Sequence, residues 1–184
     1  KQSEDAQLLQ EAEYMIVSSR YYRGDSSSDQ LLKDYLAKYP STQHRNQIAF
    51  FTGSTHFAKK EWNLALFWLN QADPFYLRGT EQDDYLYRSA YANLQEGNKA
   101  VARKQFATLT KTSETYSDAA SYYLAYIDFQ EGNYDQAIAV FNILQNRPEF
   151  RENAWFFLIQ SNYLKGDFNK TIDEAVKYLS VYPK

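Results

Sequence analysis

The chain has 184 residues, 44% of them hydrophobic and 23% charged, with 17 tyrosines, 12 phenylalanines and a formal net charge of −3. That balance suits a folded globular chain and offers no basic surface for the phosphate contacts on which nucleic-acid affinity rests. Cysteine is absent, which excludes disulfides and thiolate chemistry, and no apolar run approaches the roughly 18 residues that span a bilayer.

Apolar residues recur at three- and four-residue steps along most of the chain, the signature of amphipathic helices. In chain order the spacing predicts helices over 4–22, 28–38, 43–59, 62–72, 80–96, 99–112, 116–131, 134–146, 150–165 and 168–181. Start signals support several of these. Ser27 or Ser28 can cap the second helix, with Gln30 in its first turn, and Thr80 followed by Asp83 has capping-box spacing. Asn133 and Asp135 suit the turn and first turn of the eighth. Pro40, Pro74, Pro148 and Pro183 fall just past helix ends, where proline is expected.

The elements repeat. Gly97, Gly132 and Gly166 stand in QEGN, QEGN and LKGD, at steps of 35 and 34 residues, and glycine there can take the left-handed conformation that stops a helix. Ala102 and Ala137 lie five residues after their glycines, Phe106 and Phe141 nine after, and Leu109 and Leu144 twelve after. Lys60-Glu61-Trp62 occupies the place of Gly132-Asn133-Tyr134, and the ending Tyr35-Leu36-Ala37-Lys38-Tyr39-Pro40 returns as Tyr178-Leu179-Ser180-Val181-Tyr182-Pro183. The ten helices therefore form five antiparallel pairs, at about 4–40, 43–74, 80–112, 116–148 and 150–183, in a single array over 1–184. One such pair cannot bury its apolar face alone, so neighbours must stack on it.

This pattern resembles the tetratricopeptide repeat, a 34-residue helix-turn-helix unit. The family's small twentieth slot holds Ser28, Ala65, Ala102, Ala137 and Thr171, and its small eighth slot holds Gly53, Ala90 and Ala125, with Ile16 and Ile159 in the outer repeats. Trp155 alone supplies tryptophan at the fourth slot. The eleventh slot, usually tyrosine, departs from the family: Ser19, His56, Asn93, Asp128 and Asn162 stand there. The resemblance implies an all-α fold, an alpha-alpha superhelix or solenoid of right-handed twist. More narrowly, the Tyr-Leu-x-x-Tyr-Pro endings and tyrosine-rich first helices resemble the amino-terminal part of large exported repeat proteins of Gram-negative bacteria. That likeness implies a periplasmic or outer-membrane-associated location rather than a cytoplasmic one. It also suggests a piece of a longer array, and the apolar Ile172, Val176 and Leu179 are expected to be exposed on the last helix.

No catalytic constellation, cofactor motif or metal-ligand spacing emerges. His44 and His56 are read as surface or hairpin-packing residues, Glu81, Asp83 and Asp84 as carboxylates favoured at a helix amino terminus, and Asn169-Lys170-Thr171 as a chance sequon. In the resembled fold the second, fifth, ninth and twelfth positions of each first helix line a concave groove. The fifth positions are Glu13, Phe50, Tyr87, Tyr122 and Phe156; the ninth are Val17, Ser54, Tyr91, Tyr126 and Gln160. The expected partner-binding set is Phe50, Tyr87, Arg88, Tyr91, Tyr122, Tyr126, Asn153, Phe156 and Gln160. Tyrosine gives large contact area at low entropy cost and a hydroxyl for hydrogen bonds. The expected function is a non-catalytic scaffold binding a peptide or partner protein, with self-association through the last repeat a further expectation. The alternatives are a regulatory or substrate-binding domain of a larger exported enzyme or transport assembly, and an RNA-reading repeat, which the acidic balance disfavours.

Overall fold

The structure is a computed structural model and describes residues 2–182. Among the described residues there are ten α-helices, one short 3-10 turn and no strand. Packing divides the chain into two compact units that meet within α6 (Lys99–Thr112), between Ala102 and Arg103.

The first unit holds α1 (Gln2–Tyr22), α2 (Ser28–Lys38), α3 (Arg45–Ala58), α4 (Trp62–Leu69), the 3-10 turn Pro74–Tyr76 and α5 (Glu81–Gln95). Its helices pack in sequence order, α1 on α2, α2 on α3, α3 on α4 and α4 on α5. The second unit holds α7 (Ser117–Gln130), α8 (Tyr134–Leu144), α9 (Arg151–Lys165) and α10 (Phe168–Val181), again packed each on the next.

All ten expected helices are present, and three, α2, α6 and α10, keep the expected ends. α4 stops three residues early, at Leu69 rather than Ala72. Asp73 must be extended before Pro74, and its carboxylate accepts the Phe75 amide at 2.9 Å, so local side-chain bonding replaces the last helical turn. α8 ends at Leu144 rather than Asn146 because its last turn tightens, with the Asn146 amide bonding to Ile143 O at 3.2 Å. The expected caps occupy the right positions but do not bond. Ser27, Thr80 and Asn133 stand at N-caps with no side-chain hydrogen bond, and Gln30 bonds to Asp34 instead. Asp167, which the spacing did not single out, caps α10 through the Lys170 amide. Pro183 lies outside the described residues.

The turns follow the glycine ruler. Gly97, Gly132 and Gly166 have φ of 80°, 80° and 86°, and Lys60 takes the same left-handed region at 61°. The small slots are helix crossings. A Cβ built on Gly53 would stand 2.8 Å from Leu69 Cγ and 3.0 Å from its backbone nitrogen, so α3 and α4 approach as closely as glycine permits. Ala65, Ala90, Ala102, Ala125 and Ala137 are fully buried, and Phe141 and Leu144 share one core with Ala125 and Ala137.

The first repeat corrects the expected register. Ile16, assigned to the small slot, is 54% exposed, while Ser18 is buried at 8%. Val17, assigned to the groove, belongs to the core with Leu32, Tyr35 and Phe51, and Glu13 instead pairs with Lys38 at 2.6 Å. α1 therefore sits two residues out of phase, with Tyr14, Val17, Ser18 and Tyr21 facing inward. Its partner α2 keeps phase, burying Ser28, Leu32 and Tyr35.

The polar eleventh slots are accommodated individually. Asn93 and Asn162 are buried and donate to the carbonyls of Ser89 and Leu158, one turn back, at 2.9 and 3.1 Å. Asp128 pairs with Arg103 at 2.8 Å. His56 is buried between Asp29, Lys33 and Glu61. Burial pushes the Asp29 carboxyl up, but the Lys33 hydrogen bond and the charges of His56 and Lys59 outweigh it and hold it below the ordinary value.

Candidate partner-binding face

In the second unit the expected groove residues separate into two groups. Tyr122 and Tyr126 are half-buried and bridge repeats. The Tyr122 ring lies 5.9 Å from Phe141, 5.7 Å from Phe150 and 6.4 Å from Phe157, and Tyr126 lies 5.3 Å from Phe157. Both rings belong in good part to the α7–α9 packing. Phe156 is 44% exposed, Asn153 is exposed and Gln160 half-buried; spaced i, i+3 and i+7, they share one face of α9.

In the first unit Phe50 is 2% exposed and lies in the core, contrary to its assignment as a groove ring. Phe50 is drawn inward because Tyr21 and Tyr22 of the shifted α1 close over α3, against Phe51 at 4.1 and 5.1 Å. Tyr91 packs edge-on against Phe57 at 5.6 Å and Trp62 at 5.4 Å, and Tyr87 lies 6.3 Å from Tyr91. The Arg88 guanidinium stands over the Phe57 ring at 5.6 Å and 3.7 Å from Asp84.

A pocket of about 620 Å³ opens where the end of α1, the loop after it, α3 and the start of α5 meet. Tyr21, Tyr22, Phe50, Ser54, Glu81 and Arg88 are among its walls. Glu81 organises the rim. Its Oε1 accepts from the Tyr22 hydroxyl at 2.8 Å and the Gln47 amide at 2.7 Å, and its Oε2 from the Arg78 backbone N–H at 3.1 Å. Much of the Tyr22 ring faces solvent, but its hydroxyl end abuts that carboxylate. Burial of that end and the Glu81 bond push the phenol well above its usual range. Burial likewise raises Tyr21. Two polar atoms in the pocket are buried without a hydrogen bond, Ser54 Oγ and Arg88 Nε. A second pocket of about 450 Å³ shares Tyr22 and Glu81 and reaches His44, whose ring stacks on Tyr14 at 3.5 Å and bonds to Glu11 at 2.9 Å.

Tyr21, Tyr22 and Glu81 were not expected at the site. The signal lay in α1, where Tyr14, Val17, Ser18 and Tyr21 fit the inward slots better than Ile16 and Ser19. Glu81 read as a helix-start carboxylate, which it is, and nothing local marks it as the acceptor for Tyr22, 59 residues away. Among the described residues no three potential metal ligands come together, and no helix is long and apolar enough to cross a membrane.

Antiparallel helix pairs, left-handed turns at one phase and small residues at each crossing define an all-α tetratricopeptide-type solenoid. Residues 119–149 match the family model described as tetratricopeptide repeat. A crystal structure of MamA protein is similar at 17% identity, over 93% of this chain and 90% of that one, with a TM-score of 0.70. A tetratricopeptide repeat protein from Parabacteroides merdae is similar at 17% identity, over 95% of this chain and 67% of that one, with a TM-score of 0.72. A second MamA crystal structure gives 20% identity, 90% and 91% coverage and a TM-score of 0.66. At these identities the likeness is one of fold. No curated protein matches the sequence.

Proposed function

We propose that the chain is a non-catalytic interaction scaffold that holds a segment of a partner protein. The pocket at α1, α3 and α5 is the observation that supports this reading. Its volume is in the range that holds a small ligand or a few peptide residues, and aromatic, hydroxyl, carboxylate and guanidinium groups converge on it. Asn153, Phe156 and Gln160 on α9 offer a second contact face. Selection of a displayed random-peptide library against the chain tests the reading. An enriched motif that loses binding to Arg88→Ala or Phe156→Ala is expected; no enriched motif, or one indifferent to both changes, overturns it.

A second reading has its own observation. Phe168, Ile172, Val176 and Leu179 are 59–64% exposed on one face of α10, which has no buried residue. Ile138, in the place of Ile172 one repeat earlier, is packed against the core that includes α9. We infer that this face supports self-association. Sedimentation should show concentration-dependent dimers that Leu179→Glu abolishes; a monomer at every concentration would remove the reading.

A further inference from the structure

We propose that the pocket bounded by α1, α3 and α5 receives a basic residue of an extended peptide, with its cation at Glu81 and a backbone carbonyl at Ser54 and Arg88. This rests on the scaffold reading and gives that site a partner chemistry.

The charge argument begins at Glu81. All three of its hydrogen-bond donors, the Tyr22 hydroxyl, the Gln47 amide and the Arg78 backbone N–H, are neutral. The two cations that line this pocket already face carboxylates, Arg88 facing Asp84 at 3.7 Å and Lys59 facing Asp29 at 3.5 Å, while Arg78 lines the adjoining pocket. The surplus charge of the pocket is therefore negative, and it stands beside the Tyr22 ring. A cation on an aliphatic stem fits a carboxylate next to an aromatic face.

The polar atoms deeper in the pocket add a second requirement. Ser54 is 2% exposed and its Oγ makes no hydrogen bond. The Tyr21 hydroxyl stands beside Ser54, and a weak interaction between them lowers the phenol against the rise that burial causes, but it leaves Ser54 Oγ short of a full hydrogen bond. Arg88 Nε is buried and unpaired as well, and an N–H can only donate. Native proteins rarely leave such groups unpaired, so an acceptor is missing from the pocket. A carboxylate would meet Glu81 and Asp84, both on α5; a neutral amide carbonyl would not. A helix spends its carbonyls on its own amides, whereas an extended segment presents them outward. One residue that carries both a free carbonyl and a cation is lysine or arginine in an extended chain.

The test titrates the full chain with three capped peptides, acetyl-Gly-Arg-Gly-amide, acetyl-Gly-Glu-Gly-amide and acetyl-Gly-Leu-Gly-amide, followed by backbone amide NMR. The arginine peptide should shift the signals of Ser54, Glu81 and Arg88 and bind about tenfold more tightly than the glutamate peptide, the factor a charge-assisted hydrogen bond supplies. Glu81→Gln keeps the acceptor oxygen and removes the charge, and should lose that preference. Ser54→Ala should weaken the arginine peptide while lowering the melting temperature little, because its hydroxyl has only the Tyr21 phenol beside it. Equal binding of all three peptides at the pocket overturns the basic-residue assignment and leaves the scaffold reading standing. Failure of any peptide to shift these residues overturns the assignment and removes the pocket from the scaffold reading. Parent-like binding by both variants also overturns it.

Discussion

Lys60 holds a backbone φ of 61° where the equivalent turns carry glycine. Left-handed backbone costs an L-residue about 1–2 kcal/mol, and glycine gives back part of that through its looser unfolded chain. Lys60→Gly should therefore stabilise the first unit by up to about 1 kcal/mol, seen as a rise in melting temperature. Gly53→Ala should act in the opposite direction. The new methyl meets Leu69 Cγ at 2.8 Å and the α4 backbone, and overpacking of that kind costs about 1–3 kcal/mol, more than the gain in helix propensity. The same logic separates two alanines two residues apart on α8. Ala137 is fully buried and Ala139 exposed, so Ala137→Leu should cost about 1–3 kcal/mol and Ala139→Leu little. Equal melting temperatures for that pair would show the register of α8 to be wrong.

At the scale of the helix, the expected binding stripe becomes a question of which rings a neighbouring helix covers. Tyr122 touches Phe141, Phe150 and Phe157, so Tyr122→Ala should approach the roughly 3–5 kcal/mol of a lost core aromatic. Phe156, 44% exposed on α9, should cost about 1 kcal/mol or less when truncated. Thermal melts of the two variants decide it, and similar losses would mean that α9 presents a different face. The helices themselves were legible in the sequence because the apolar period and the glycine and proline stops are local signals. Ala65, Ala102 and Ala137 were legible for the same reason, since a small residue at a fixed step marks a crossing. The groove was less so. Phe50 and Tyr122 occupy groove positions by count, but their burial depends on Tyr21 and Phe157 in other helices. A phase error of two residues in α1 moved Val17 from core to groove on paper. Ser27, Thr80 and Asn133 show another limit: residue type places a cap, while the side-chain rotamer decides whether it bonds.

Across the molecule, tyrosine chemistry gives the first unit a sensitivity to alkali. Burial raises Tyr14, Tyr21 and Tyr85, and burial with the Glu81 bond raises Tyr22. A raised phenol means that the folded state keeps its proton longer than the unfolded chain. This contribution to stability is complete below the ordinary value near 10 and is lost as pH climbs above it. Trp62 and Trp68 lie in the first unit and Trp155 in the second. In a Trp155→Phe chain, tryptophan fluorescence should therefore melt at a lower temperature at about pH 11 than at about pH 9. No change between the two would show these phenols to be as free to ionise in the fold as in the open chain. The order of packing in the second unit has a mechanical consequence. Because α10 rests on α9, while α7, α8 and α9 share one core, α10 can detach without opening that core. Under tension at its C-terminal end, this unit would give up the length of α10 first and recoil by the same step, with the three-helix core holding until a higher force.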